Sequence, residues 1–265
     1  IFKNYNINSI YHLAAILSTK AERNKELAYD VNVNGSKQLI DYAVNSKNKI
    51  HFFFPSSIAV YNTNNQNTII TEKDCIDKPL TIYGQNKLDI ENYGIKMHND
   101  KFDFRCIRFP GIISATSLPT GGTSDYAPEM IHSAAQNKEY NCFANNSSRL
   151  PFIVMPDAIK SIKMLMEISL KKLKHQVYNI TAFNPSIDEL YSETIKYYKK
   201  FKIKYDINED RQKIINSWPD NINDNPAKKD WDWEPTYNLE SAYSVYLIPQ
   251  INDYYQRIPN EYIEK

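Results

Sequence analysis

Lys49-Ile50-His51-Phe52-Phe53-Phe54-Pro55 constrains the fold more than any other stretch of this chain. It is apolar on both faces of a pleated strand, and a strand with two apolar faces needs cover on both sides. That condition is met by a central parallel strand with helices packed above and below. The strand ends in Pro55-Ser56-Ser57 and runs on into Ile58-Ala59-Val60-Tyr61. Open α/β sheets place their ligands just past the carboxyl ends of such strands, so Ser57 is a candidate site residue, though serines also simply end strands.

The neighbouring segments agree with this architecture. Ser9 to Ala15 reads as a short buried strand whose small terminal residues would let a flat ligand approach the backbone. His12 in it suits either core packing or cofactor contact. Asn24 to Ser46 has helical periodicity, with Leu27, Val31, Asn34, Leu39, Tyr42 and Ala43 falling on one face; Asn32 and Asn34 are polar amides that need partners if they turn inward. Asn62 to Pro79 reads as a loop. Thr81 to Met97 follows as a helix, weakened near its end by Gly94, and Phe102 to Phe109 as the next strand.

Further on, a helix is expected over Asp125 to Gln136, a strand then a helix over Ile153 to Ser169, and a strand over Val177 to Ile180. Ser186 and Glu189 have capping-box spacing at the start of a helix to about Lys200, and a last helix runs from Leu239 to about Tyr254. The expected fold is α/β, a parallel sheet with a smaller carboxyl-terminal lobe. Residues 1–113 would form the sheet domain with the catalytic helix. Residues 114–265 would mainly form the substrate lobe, with the chain crossing back to the sheet near 153–181.

Composition removes several function classes. There are 32 basic and 31 acidic residues, a formal net charge of +1, which gives no reason to expect nucleic acid or an anionic membrane as partner. No apolar run is long enough to span a bilayer. Cys75, Cys106 and Cys142 are scattered, without metal or redox spacing, so no metal is expected and a reducing compartment is.

The chemical candidate is Tyr83-Gly84-Gln85-Asn86-Lys87. Tyrosine and lysine four apart on a helix point the same way, and an ammonium beside a phenol favours the phenolate. Such a pair can take a proton from an alcohol or return it to a carbonyl. With 20 tyrosines in the chain, roughly two such spacings arise by chance. Tyr198 and Lys202 make the second; no serine-tipped strand precedes them, and they read as a solvated face. Ser57 at one strand end and Pro110-Gly111 at the next favour Tyr83 and Lys87. Pro119 to Ser124 holds Gly121 and Gly122 just before a helix, which suits an anion site or an ordinary connection.

These residues resemble the extended short-chain dehydrogenase/reductase family, and within it the NAD-dependent L-threonine 3-dehydrogenase branch. The likeness runs through Tyr11 to Ser18, Asn32 to Gly35, Pro55 to Val60, Tyr83 to Lys87 and Arg108 to Ser114. It continues through Gly121 to Ala127, Arg149 to Pro151, Met155 to Ala158, Asp210 to Gln212, Ser217 to Pro219 and Lys229 to Trp231. The resemblance implies a Rossmann-type fold, NAD as cofactor and oxidation of the threonine side-chain hydroxyl to 2-amino-3-oxobutanoate. It implies Tyr83 as base, Lys87 lowering the Tyr83 pKa and bonding the nicotinamide ribose, and Ser57 aligning the substrate oxygen. His12, Leu13 and Ala14 would lie along the cofactor, with Pro110, Gly111, Ile112 and Ile113 against the nicotinamide. Ser18, Thr81, Gly121, Gly122, Thr123 and Trp218 would join Ser57 and Tyr83 around the substrate, the glycine loop binding its carboxylate. A homodimer and a cytosolic or mitochondrial-matrix location are the expected setting.

That family opens with a strand, a glycine-rich turn and a helix that cradle the pyrophosphate, and none of these precedes Ile1. The sequence is therefore expected to be truncated at its amino terminus. A nucleotide-sugar epimerase or dehydratase of the same family is the runner-up, disfavoured because Arg149 is the only arginine between Ser114 and Gln176. An inactive NAD-sensing or scaffold protein is the third reading.

Overall fold

The computed structural model describes residues 4–63, 69–74 and 78–257. Among the described residues its central sheet has four parallel strands in the order Ser9–Tyr11, Ile50–Ser57, Phe102–Phe109 and Val177–Asn179. Tyr11 lies opposite Phe53, Ser57 opposite Phe109, and Arg108 opposite Asn179. All four carboxyl ends therefore share one edge of the sheet, where side chains beyond them can meet one ligand.

The two-residue period of the phenylalanine strand sorts its side chains between two layers. Phe52 and Phe54 join Phe104 and Cys106 beneath the helices Ser36–Val44 and Ile82–Met97. Phe53 points the other way, with Ile107, Trp231 and Trp233, toward the helices Met155–Glu167 and Asn225–Trp231. Asp157 fastens this second layer, its buried carboxylate accepting from the backbone N–H groups of Thr236 and Tyr237.

The largest apolar cluster belongs to the second lobe and includes Tyr126, Phe143, Phe152, Trp218 and Tyr243. Two short parallel ladders frame it, Gly111–Ile113 with Phe152–Val154 and Tyr140–Cys142 with Ile203–Tyr205. The chain returns to the main sheet at Val177–Asn179. The capping box at Ser186 is formed, with Glu189 N–H donating to Ser186 Oγ and Ser186 N–H to Glu189 Oε2, and opens the helix Ile187–Tyr197. Among the described residues no helix is long and apolar enough to cross a membrane, and no cluster of metal-ligating side chains occurs. Cys106 and Cys142 are free and buried; Cys75 lies outside the described residues.

Several expectations need correction. The first strand stops at Tyr11, and it is the edge of the sheet with Ser9 and Tyr11 exposed, not a buried strand. His12 N–H still donates to Phe53 O at 3.0 Å, but Leu13 N–H already turns back to Tyr11 O at 3.1 Å. The helical segment after it is α-helical over Lys25–Tyr29, π-helical over Asp30–Gly35 and α-helical again over Ser36–Val44. The extra residue in the π-turn rotates the phase of everything before it. Ala28, Val33, Ile40 and Ala43 therefore face inward, while Leu27, Val31 and Tyr42 are exposed. The segment Asn62 to Pro79 is not wholly loop: Ile69–Ile70 pairs with Asn221–Ile222, and residues 64–68 and 75–77 lie outside the described residues. Tyr198 is half-buried and donates to Asn252 Oδ1 at 2.7 Å, so it is not part of a solvated face.

Candidate active site

The helix Ile82–Met97 carries Tyr83 and Lys87, and three contacts set its position. Thr81 caps it, accepting from Gly84 N–H at 3.0 Å, and Glu22 Oε1 accepts from Ile82 N–H at 2.6 Å. Gly84 allows the closest approach: a Cβ there would stand 2.0 Å from the carbonyl oxygen of Ala59. The helix thus lies directly on the turn that follows Ser57. Gly94, expected to weaken the helix, is explained by Phe104, whose ring would stand 2.2 Å from an added Cβ.

Ser57 ends the central strand and caps the turn Ile58–Val60, its Oγ accepting from Ala59 N–H at 3.2 Å. The hydroxyl hydrogen remains available to a ligand oxygen. Lys87 is 5% exposed, and its ammonium donates to Pro55 O at 2.7 Å. It stands 4.6 Å from the centre of the Phe54 ring and 5.5 Å from that of Tyr83. Removal from water pushes the Lys87 pKa down to about 8.

Tyr83 behaves differently from the expectation. Burial pushes its phenol up to about 12, and no opposing effect of Lys87 is resolved. The ammonium faces the ring and Pro55 O, so desolvation of the phenolate outweighs attraction in this arrangement.

His12 lies beyond the first strand with its ring tilted against those of Phe52 and Phe54, the latter also under Lys87. Its Nε2 is 2.7 Å from Ser36 Oγ, and Ser36 donates its own hydrogen to Asn32 O at 2.6 Å. The Nε2 atom therefore carries the imidazole proton in this pairing. Burial, then the charge of Lys87, lowers the His12 pKa and keeps it neutral. Asn32 is buried as well: its Oδ1 accepts from Ile16 N–H at 2.7 Å and its Nδ2 donates to Ile16 O at 3.0 Å. That answers the question the amide raised in the sequence, since it ties the segment from His12 to Ser18 to the π-turn. Asn34 instead bonds Asp30 at the surface.

The glycine loop approaches from the second lobe. Thr19, next to Ser18, donates to Gly121 O at 2.5 Å, and Arg211 donates to Gly122 O at 2.6 Å. The backbone N–H groups of Thr120, Gly121 and Gly122 all point at Asp125 Oδ2, at 3.0, 2.9 and 2.7 Å. The amides expected to bind a substrate carboxylate thus bond a carboxylate of the chain itself. Thr123 is buried behind them. Thr81 accepts at the helix cap and is buried, and Trp218 is buried in the apolar cluster against which Tyr83 packs, so neither is an exposed ligand. Pro110 and Gly111 are buried, Ile112 is partly exposed, and Gly111 is required where Phe152 would stand 2.5 Å from a Cβ. Leu13 is exposed.

Sequence reasoning missed Glu22, Asp125, Glu91 and Arg211. Glu22 and Arg211 act across separations of 60 and 89 residues, which no local pattern reveals. Glu91 stands four residues after Lys87, a spacing visible in the sequence, yet its burial is not.

Comparison with known proteins bears on the family and the fold. Residues 1–181 match the model of the NAD dependent epimerase/dehydratase family. The mitochondrial L-threonine 3-dehydrogenase of Bos taurus is 35% identical over 249 residues, covering 93% of this chain and 66% of that protein. The chain therefore spans a little under two thirds of the length of the mammalian relatives it matches. An uncharacterized epimerase/dehydratase of Staphylococcus aureus is 36% identical, over 93% of this chain and 77% of that protein. Among solved structures, L-threonine 3-dehydrogenase from Trypanosoma brucei superposes with a TM-score of 0.88 at 35% identity, covering 94% of this chain and 77% of that one. A monomeric L-threonine 3-dehydrogenase from a metagenome gives 0.85 at 36% identity, covering 94% and 80%. With a Rossmann-type parallel sheet and a family match over more than half its length, the chain belongs to the NAD dependent epimerase/dehydratase family.

Proposed function

We propose that this chain is part of an NAD-dependent dehydrogenase that oxidises the side-chain hydroxyl of L-threonine to 2-amino-3-oxobutanoate. The observation that carries the reading is the convergence of Ser57, Tyr83 and Lys87 at the carboxyl edge of the sheet, in a chain about 35% identical to threonine dehydrogenases. Ser57 offers a hydroxyl hydrogen to the substrate oxygen. Tyr83 receives the hydroxyl proton, and the Cβ–H bond breaks with its electron pair leaving as hydride while the carbonyl forms. Acceptance of that hydride is the chemistry NAD+ supplies when bound.

The donor set fits such a cofactor. Lys87 has three N–H donors and its bond to Pro55 O uses one, so two remain for ribose hydroxyls. His12, Leu13 and Ala14 line one side at the strand end, and Pro110 to Ile113 the other. A phenol that titrates near 12 is almost wholly protonated at neutral pH, and only its phenolate can take the proton, so the base role of Tyr83 depends on Lys87 staying cationic beside it to favour that phenolate. Ser18, half-buried beside Thr19, remains the substrate contact we favour here, since Thr123 is buried and the neighbouring amides serve Asp125. The nucleotide-sugar reading gains nothing from Arg149, which is paired with Glu189 and bonded to the Asn184 carbonyl.

We also propose a homodimer built on the helical segment from Lys25 to Val44 and the catalytic helix, because Leu27, Tyr29, Val31 and Ile95 are exposed there. The setting would be cytosol or mitochondrial matrix, the matrix being consistent with the mitochondrial relatives and both with the two free thiols. The protein should form NADH from NAD+ with L-threonine, and Tyr83→Phe should lose at least about 100-fold in rate while staying folded. Turnover of a UDP-sugar with no NADH from L-threonine would refute the substrate, and full activity of Tyr83→Phe would refute the mechanism.

A further inference from the structure

Beneath the catalytic helix lies a buried ion pair that the proposed chemistry does not use directly. Glu91 is 1% exposed and Arg108 is 4% exposed. Arg108 Nε stands 3.0 and 3.1 Å from the two Glu91 carboxylate oxygens, and its Nη2 donates to Oε2 at 2.6 Å. The remaining arm of Arg108, Nη1, donates to Tyr61 OH and to Glu72 O, both at 2.9 Å. Tyr61 in turn donates to Asn179 Oδ1 at 2.8 Å. The carboxylate is therefore fixed by a fork that is itself anchored to the segment after Ser57 and to the fourth strand. Glu91 sits one helical turn beyond Lys87, on the same face.

We propose that Glu91 is a positioning residue for the reaction: its clamped carboxylate keeps buried Lys87 an ammonium ion at neutral pH. This rests on the role given above to Lys87. The groups that face Lys87 are few. Its own helix brings Tyr83 and Glu91. The strand Phe102–Phe109 brings Cys106 and Arg108, and the first strand's end brings His12. The central strand contributes the Pro55 carbonyl and the face of Phe54.

Burial drives Lys87 toward the neutral amine, and Cys106 and Glu91 oppose it. Cys106 can do so only as a thiolate, and burial holds its thiol well above the usual range. At neutral pH Cys106 is uncharged, which leaves Glu91 as the anion that acts. Arg108 is engaged with Glu91 itself, Tyr61 OH and Glu72 O. His12 is held neutral, by burial and by Lys87, and does not compete. An ordinary packing role would also explain a buried ion pair, but it would leave the titration of Lys87 unchanged.

The test is a lysine side-chain NMR titration of the protein without cofactor or substrate, the Lys87 signal being assigned by its loss in Lys87→Met. In the parent the signal should titrate near about 8. In Glu91→Gln it should titrate about one pH unit lower, the size expected for loss of a nearby opposite charge. Because that variant strands a buried guanidinium, the double variant Glu91→Met with Arg108→Met provides a second reading; replacing both partners of a buried pair is generally tolerated. It too should titrate below the parent. An unchanged Lys87 midpoint in either folded variant overturns the proposal. Where turnover is measurable, the alkaline limb of the rate profile should move acidward in Glu91→Gln and return in Glu91→Asp. A uniform fall at every pH would mark packing alone. A wrong substrate assignment leaves the titration untouched, so the two failures are distinguishable.

Discussion

Replacing Lys87 by methionine isolates the cost of burying its charge. The side chain is 5% exposed and its pKa falls from 10.5 to about 8, so no solvent discount applies. At about 1.36 kcal/mol per unit, the drop corresponds to roughly 3 kcal/mol of folding free energy lost at neutral pH. Methionine avoids that cost but leaves the Pro55 carbonyl, 2.7 Å away, without its donor. A buried orphan acceptor costs about 1–3 kcal/mol, so the net change at any single pH does not decide the matter.

The pH dependence does decide it. Below pH 8 both folded and unfolded parent chains hold the proton on Lys87, and the burial penalty is fully present. Between 8 and 10.5 the folded chain has released it while the unfolded chain retains it. There the unfolded state binds more protons, and stability rises with pH. The parent should therefore gain on Lys87→Met by about 2 kcal/mol between pH 7 and 9.5. Urea unfolding of both proteins at matched pH values measures this, since all other titrations cancel in the difference. Parallel stability curves, or a gap that moves the other way, would refute the burial argument and with it the charge balance drawn around Tyr83.

Other perturbations follow from single contacts. Gly84→Ala sets a methyl group 2.0 Å from Ala59 O and should destabilise the fold by more than about 2 kcal/mol, seen as a lower urea midpoint; an unchanged midpoint would mean the helix can lift off its turn freely. Asn32→Ala removes both side-chain bonds to Ile16 and should speed amide exchange at Ile16 by about tenfold or more, with the central strand unaffected. Asp125→Asn weakens the acceptor shared by three loop amides and should raise KM more than it lowers kcat; equal loss in both would show the loop serves only stability. Leu27→Asp with Val31→Asp should convert a dimer to monomers in analytical ultracentrifugation, whereas a parent that already sediments as a monomer removes the proposed interface.

Much of the scaffold is legible in local patterns. Phe52 to Phe54 announce a two-sided buried strand because their apolar character ignores the pleat, and the Ser186–Glu189 box marks its helix because capping is a four-residue interaction. Tyr83, Lys87 and Ser57 are readable as a candidate site for the same reason: helical spacing and strand ends are short-range facts. The phase of the helical segment from Lys25 to Val44 was not readable, because one inserted π-turn at Asp30–Gly35 depends on what packs against it. Nor was the use of the glycine loop, whose amides are claimed by Asp125 only once the loop is bent.

Which groups stand together was decided by the sequence only in part. Lys87 four residues from Tyr83 is written in the chain, but the sign of the phenol's shift is not. It comes from how much water the fold removes and from the lysine pointing at Pro55 and Phe54. Likewise Glu91 is an ordinary helical glutamate until Arg108, on a strand 17 residues later, closes over it. Side-chain type and spacing fix what chemistry is available; only tertiary packing fixes the dielectric and the charges that surround it, and these set which protons move.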